Sequence, residues 1–195
     1  AACAALMLLP ANLLAQEEEK DMRPVRETFN GTLLGDQQTA TSPRDKGLEL
    51  IIHHRFGTME NGLTDLYGIY APSNIRLGLS FGITEKLMVG FGTEKNNKLQ
   101  EFYAMYNILQ QTRGGSIPVG ISYYVNMAID ARNEEVFGEN YAFTNRLSYF
   151  HQIIIDRKFG DRLSVQLAPS FAHFNAVDSV WHNDYIGVSA GARYK

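Results

Sequence analysis

His53 and His54 stand side by side, and an adjacent histidine pair is the first place to look for a metal or haem ligand set. In a strand, neighbouring side chains point to opposite faces, so these two rings cannot meet on one ion inside a barrel. They read instead as one lumen and one interface histidine. His151, His173 and His182 have no metal-ligand spacing to one another, and no metal or other cofactor is expected. Gly90-Phe91-Gly92 and Gly114-Gly115 do not lead from a strand into a helix, which a phosphate cradle requires. Asn30-Gly31-Thr32 matches a glycosylation sequon, a three-residue match that is read as chance. No local arrangement of Ser, His and Asp suggests a nucleophile, and the chain is read as a non-enzyme. A hydrolase triad gathered from distant positions stays open, because triads need not be local. The charged residues with a clear place in the pattern are Glu49, Arg55, Arg76, Asp130, Arg146 and Arg193. These are expected to line a lumen. In a narrow barrel they would form a salt-bridged plug, and in a wide one they would tune ion selectivity.

Period-two strands must position those residues. From Asn74 to Gly82, Ile75, Leu77, Leu79 and Phe81 share one face, and Asn74, Arg76, Gly78, Ser80 and Gly82 the other. Leu87, Val89 and Phe91 likewise oppose Met88, Gly90 and Gly92. The longest clean alternation sets Val119, Ile121, Tyr123, Val125, Met127 and Ile129 against Gly120, Ser122, Tyr124, Asn126, Ala128 and Asp130. Leu163 to Phe171 and Ile186 to Tyr194 repeat the pattern. In all of these the apolar face carries no charge, while Arg76, Asp130 and Arg193 fall on the other. An Arg or Lys facing lipid at mid-depth costs about 2–4 kcal/mol, which would enforce this partition. Leu48 to Phe56 is less clean, and Leu99 to Leu109 and Tyr141 to Ile155 are long and mixed, so a bulge is expected in either of the last two. The total is about eight strands by pattern. Several exceed the length of about 5–6 residues usual in soluble strands and approach the roughly 9–11 of spanning ones.

The connections alternate in kind. Thr84-Glu85-Lys86, Arg113-Gly114-Gly115-Ser116 and Lys158-Phe159-Gly160-Asp161 are tight turns, whereas 57–72, 131–140 and 175–184 are longer. Short turns on one side and long loops on the other characterise bacterial outer-membrane barrels, with the tight turns in the periplasm. Tyr67, Tyr70, Tyr141, Phe143, Phe171, Trp181, Tyr185 and Tyr194 near strand ends suit an interface girdle, although aromatics are also good strand formers.

Residues 1–15 carry no charge and are mostly Ala, Leu and Met. The run is too short to span as a helix and reads as the core and cleavage site of a secretory signal, clipped at its start. Cys3 lies within it, which leaves no cysteine for a disulfide framework afterwards. Residues 16–46, polar and carrying Pro24 and Pro43, read as a periplasmic lead-in with a short strand at Thr28–Leu34, and 47–195 as the barrel. A net charge of −3 gives no reason to expect nucleic acid. No later apolar run is long enough for a spanning helix, and a mean hydropathy of −0.21 remains compatible with alternating barrel strands.

Several segments, in order, carry a resemblance. Arg23-Pro24-Val25-Arg26 leads to Phe29 and Leu33-Leu34. His54-Arg55-Phe56-Gly57, Asp65-Leu66-Tyr67-Gly68 and Ala71-Pro72-Ser73-Asn74-Ile75-Arg76-Leu77-Gly78 follow, then Val89-Gly90-Phe91-Gly92 and Lys98-Leu99-Gln100. Together they resemble the outer-membrane β-barrel family catalogued as domain of unknown function 5777, from Arg23 to at least Asp130. The resemblance implies a barrel and a surface location, with no catalytic residues to carry over. Family members are longer, and the chain stops at Tyr194-Lys195 instead of on a terminal aromatic. It is therefore expected to be part of a larger barrel, incomplete at its C-terminus.

The expected fold is all-β, an antiparallel up-and-down transmembrane β-barrel with about eight strands in this chain. The expected place is a Gram-negative outer membrane, reached by a cleavable signal peptide. The expected partners are the lipid bilayer and, during insertion, the barrel-assembly machinery. The leading functional reading is a porin-like channel or transport barrel for small solutes. The alternatives are a closed structural or interaction barrel acting through extracellular loops, and a soluble lipocalin-like binding barrel. Alternation alone does not say which face points inward.

Overall fold

The alternating segments form one antiparallel sheet in the computed structural model, which describes residues 20–195. The expected signal segment and Cys3 lie outside the described residues. The strands are β1 (Leu33–Leu34), β2 (Gln37–Gln38), β3 (Leu48–Arg55), β4 (Asn74–Gly82), β5 (Leu87–Glu94), β6 (Leu99–Leu109), β7 (Gly120–Asp130), β8 (Leu147–Phe159), β9 (Leu163–Phe174) and β10 (Asp184–Tyr194). The strands β3 to β10 make an eight-stranded sheet in chain order, every neighbour antiparallel, and β1 pairs with β2 in a small separate hairpin. Strand lengths in the large sheet run from 8 residues in β3 to 13 in β8.

The register keeps each face intact across the sheet. One outward row passes through Leu50, Leu79, Phe91, Phe102, Met127 and Tyr149 on six successive strands. Phe91 and Phe102 in that row pack with ring centroids 5.3 Å apart, an aromatic contact worth about 0.5–1.5 kcal/mol beyond its area. The pairing shifts once, between Asn107 and Leu109 near the end of β6, where Ile108 is the extra residue. Of the two mixed strands in which a bulge was expected, β6 carries it, and β8 pairs with β7 in a constant register. The strand expected from Tyr141 begins only at Leu147, because Phe143–Arg146 forms a short 3-10 turn before it.

The two faces answer the question that alternation left open. Leu50, Ile52, Leu77, Leu79, Phe102, Leu167 and Val188 are all exposed on the outward face. Ser80, Asn107, Ser122, Gln152, Asp156 and Gln166 are buried on the inward one. A lipocalin-like barrel needs the reverse arrangement, so the soluble-barrel reading is corrected: this sheet is apolar outside, where a bilayer supplies the solvent. The inward face is not purely polar. Met88, Tyr103, Met105, Tyr124, Ile154 and Ala168 form a buried cluster at mid-height, with Ala40 and Phe150 packed on it.

Ala40 belongs to the segment read as a periplasmic lead-in. That segment folds into the concave side of the sheet. The chain enters at the short-turn end, where Val25 donates to the Gln111 carbonyl at 2.6 Å and Pro24 bridges Thr112. It rises through Phe29 and Thr32, reverses at Gly35-Asp36 between β1 and β2, and descends to β3. Gly35 takes a φ of +63°, the left-handed conformation that glycine adopts without penalty. On the way it touches β3 through Asp36 and Arg55, β6 through Gln38 and Met105, β9 through Gln166, and β10 through Arg193. Only a curled sheet brings both of its ends to one hairpin. The strand expected at Thr28–Leu34 is reduced to Leu33–Leu34: the Thr32 carbonyl still accepts the Thr39 N–H at 2.8 Å, but the carbonyls of Phe29 and Gly31 accept from the hydroxyls of Thr41 and Thr39. Docking of the entering chain also explains why the β6–β7 connection, 110–119, is longer than the tight turn expected at Arg113–Ser116.

Candidate functional site

The concave interior is where polar side chains from different strands converge. Near the long-loop end, Arg76 of β4 and Glu101 of β6 form an ion pair, with Nε donating to Oε2 at 2.6 Å and a second contact through Nη2. Both side chains are 13% exposed. The residue directly opposite Arg76 is Glu94 of β5. Glu94 is engaged elsewhere: its carboxylate accepts the backbone N–H of Asn96 and of Asn97, each at 2.9 Å, and so closes the β5–β6 loop. Arg76 therefore reaches diagonally across Gly92, where a Cβ would meet both Arg76 and Glu101. Gly90 is shaped by the same crowding, since the Tyr103 ring lies over it. Tyr103 also shares a 3.0 Å hydrogen bond with Ser80.

The remaining residues expected at the lumen are placed as follows. Arg55 donates to Asp36 of the hairpin tip at 2.8 Å. Glu49 lies on the inward face of β3, its Oε2 buried and without a partner. Arg193 of β10 donates to the carbonyls of Glu27 and Thr28 at 3.2 and 3.4 Å. Asp130 sits at the end of β7 and holds Arg132 through its backbone N–H, Nε and Nη2. Arg146 lies outside the strands, at the end of the Phe143–Arg146 turn. It donates to Tyr141 at 2.6 Å and to the carbonyls of Asp130 and Arg132, and it stacks on the rings of Phe137 and Tyr141. It builds the β7–β8 loop.

The histidines separate by face. His53 points inward, and its Nδ1 is buried without a partner. His54 points outward onto Phe56, ring centroids 4.5 Å apart. On the outward face His151 meets the Tyr123 hydroxyl at 2.7 Å, and His173 meets Asp184 at 2.6 Å and Asn175 at 2.8 Å. Among the described residues no cluster of three His, Cys, Asp or Glu could hold a metal.

The hairpin divides the interior into two spaces. A cavity of about 430 Å³ lies at the short-turn end, bordered by Thr28, Arg44, Glu49 and Asp156. One of about 610 Å³ lies towards the long loops, bordered by Asp36, His53, Arg76 and Gln152. Glu101, Gln152 and Asp156 also face the interior and were not among the residues expected there. Each shares strand parity with an inward residue, but on β6 and β8 that parity also carries Met105, Phe150 and Ile154 of the inner cluster, which hid the polar face.

The family described as membrane bound beta barrel domain, domain of unknown function 5777, matches residues 29–195. The chain belongs to that family. The match begins at Phe29, so the in-folded hairpin lies within the region that defines this membrane barrel domain. No curated protein and no solved structure matches the chain significantly. The outward apolar rows and the membrane barrel family agree on where the domain resides.

Proposed function

We propose that this membrane barrel is a porin-like conduit for small hydrophilic solutes in a Gram-negative outer membrane, with residues 27–46 narrowing the path. The observation that carries the reading is the set of polar and charged side chains bordering a cavity on each side of the in-folded hairpin. A structure needing only to fill its lumen would close those spaces with side chains. Delivery by a cleavable signal and insertion by barrel-assembly machinery fit the same reading.

The test is planar-bilayer conductance together with swelling of sugar-loaded liposomes, using the full chain and a variant in which residues 31–41 are replaced by a short Gly-Ser linker. The expected result is a small conductance in the full chain and a several-fold larger one in the variant. Silence of both proteins in both assays would overturn the conduit. It would favour a closed barrel acting through its loops, a reading supported by the loop built on Arg146.

A further inference from the structure

Both ends of the curled sheet face the larger cavity, His53 from β3 and Ser189 from β10. At about 610 Å³ it falls within the range of small-molecule pockets, about 300–1,000 Å³. The charges around it are matched internally: Arg76 with Glu101, Arg55 with Asp36, and Glu94 with the N–H groups of Asn96 and Asn97. An anion entering would find no free cation among these groups, because both arginines are already paired. The uncharged groups are not matched. Gln152 Oε1, Asn74 Oδ1, Gln37 Nε2 and His53 Nδ1 line the cavity and are buried without a hydrogen-bond partner. Buried polar groups are ordinarily satisfied, so four around one cavity, from the hairpin, β3, β4 and β8, call for a reason.

Gln152 is the clearest of them. It sits mid-strand on β8, is 4% exposed, and its Nε2 reaches only to Ser189 Oγ at 3.5 Å. The orphaned atoms comprise amide acceptors, an amide donor and an imidazole nitrogen, a mixture that hydroxyl groups satisfy because each both donates and accepts. Tyr124 and Phe150 add ring surface beside them, packed edge-on with centroids 6.2 Å apart. We propose that this cavity binds an uncharged polyhydroxylated solute, a mono- or disaccharide, and discriminates against anions of the same size. The proposal rests on the reading of the lumen as a solute path and names its substrate class.

Isothermal titration calorimetry on the full chain in detergent micelles tests it, with glucose and maltose as ligands and sodium gluconate as the charged counterpart. The expected result is saturable binding of at least one sugar and at least tenfold weaker binding of gluconate. Gln152→Leu should weaken sugar binding at least tenfold and the milder Ser189→Ala severalfold, with circular dichroism reporting that each variant is folded. Absence of saturable sugar binding, equal binding of gluconate, or sugar affinity unmoved in the folded variants would overturn the site. Sugar binding without liposome flux would keep the site and remove the conduit. Flux without saturable binding would keep the conduit and remove the site.

Discussion

Arg76 and Glu101 show how one side chain shapes its surroundings inside the trough. The pair is largely buried, and removing one partner of such a pair typically costs about 3–5 kcal/mol because a charge is left alone. Arg76→Leu is therefore expected to lower stability by about that amount, read from urea unfolding in detergent. The double variant Arg76→Met with Glu101→Leu should recover most of the loss. Asp21, at the entrance, behaves differently. Its carboxyl is held down to about 2, first by the hydrogen bond from the Arg23 side chain and then by the Arg23 backbone N–H. A depressed carboxylate contributes stability that is present above its unfolded value of 3.8 and is lost as pH falls through about 2. The Asp21–Arg23 contact should stay closed at pH 5 and open between about 4 and 2. An NMR titration of the Asp21 carboxyl that found an ordinary midpoint would contradict this. Arg76 could be placed from its strand alone, since a clean alternation fixes its face. Glu101 could not, because its face also carries the apolar residues of the inner cluster. Arg146 shows the opposite difficulty: an arginine just before a strand gives no sign that its loop will fold around it.

The in-folded hairpin is the element with most to test. Its descending limb passes over Gly82, where a Cβ would run into the backbone of Pro43 and Arg44. Backbone hydrogen bonds at 2.7 and 2.9 Å tie Lys46 and Gly47 to the same glycine. Gly82→Val should therefore displace the limb, and limited trypsin digestion should cut at Arg44 or Lys46 much faster than in the unaltered chain. Asp36→Ala should do little, because its pair with Arg55 is solvent-exposed and such pairs contribute about 0–1 kcal/mol. Strand β4 was legible to its last residue because its alternation is unbroken and turn residues follow it. The hairpin's position was not. A polar segment satisfies its hydrogen bonds equally well in water or against a polar wall, and the wall comes from residues more than a hundred positions away.

For the whole molecule, the outward apolar face predicts how the domain meets its solvent. Val125, midway along β7, faces outward. Val125→Arg is expected to cost about 2–4 kcal/mol in lipid vesicles, measured by urea titration of the inserted protein, whereas Asn126→Ser on the inward face should change little. Equal effects of the two would contradict the assigned faces. The hairpin also has a consequence for time. Its contacts with β9 and β10 join residues 126 to 166 positions apart. Contacts so distant in sequence slow folding, because the intervening chain must be ordered before they form. The in-folded segment thus acquires its β9 and β10 partners only after the intervening strands have been made. Until then only the hairpin's contacts with β3 and β6 hold the early sheet to its mandrel, and the rest of its polar face must be kept from lipid by other means.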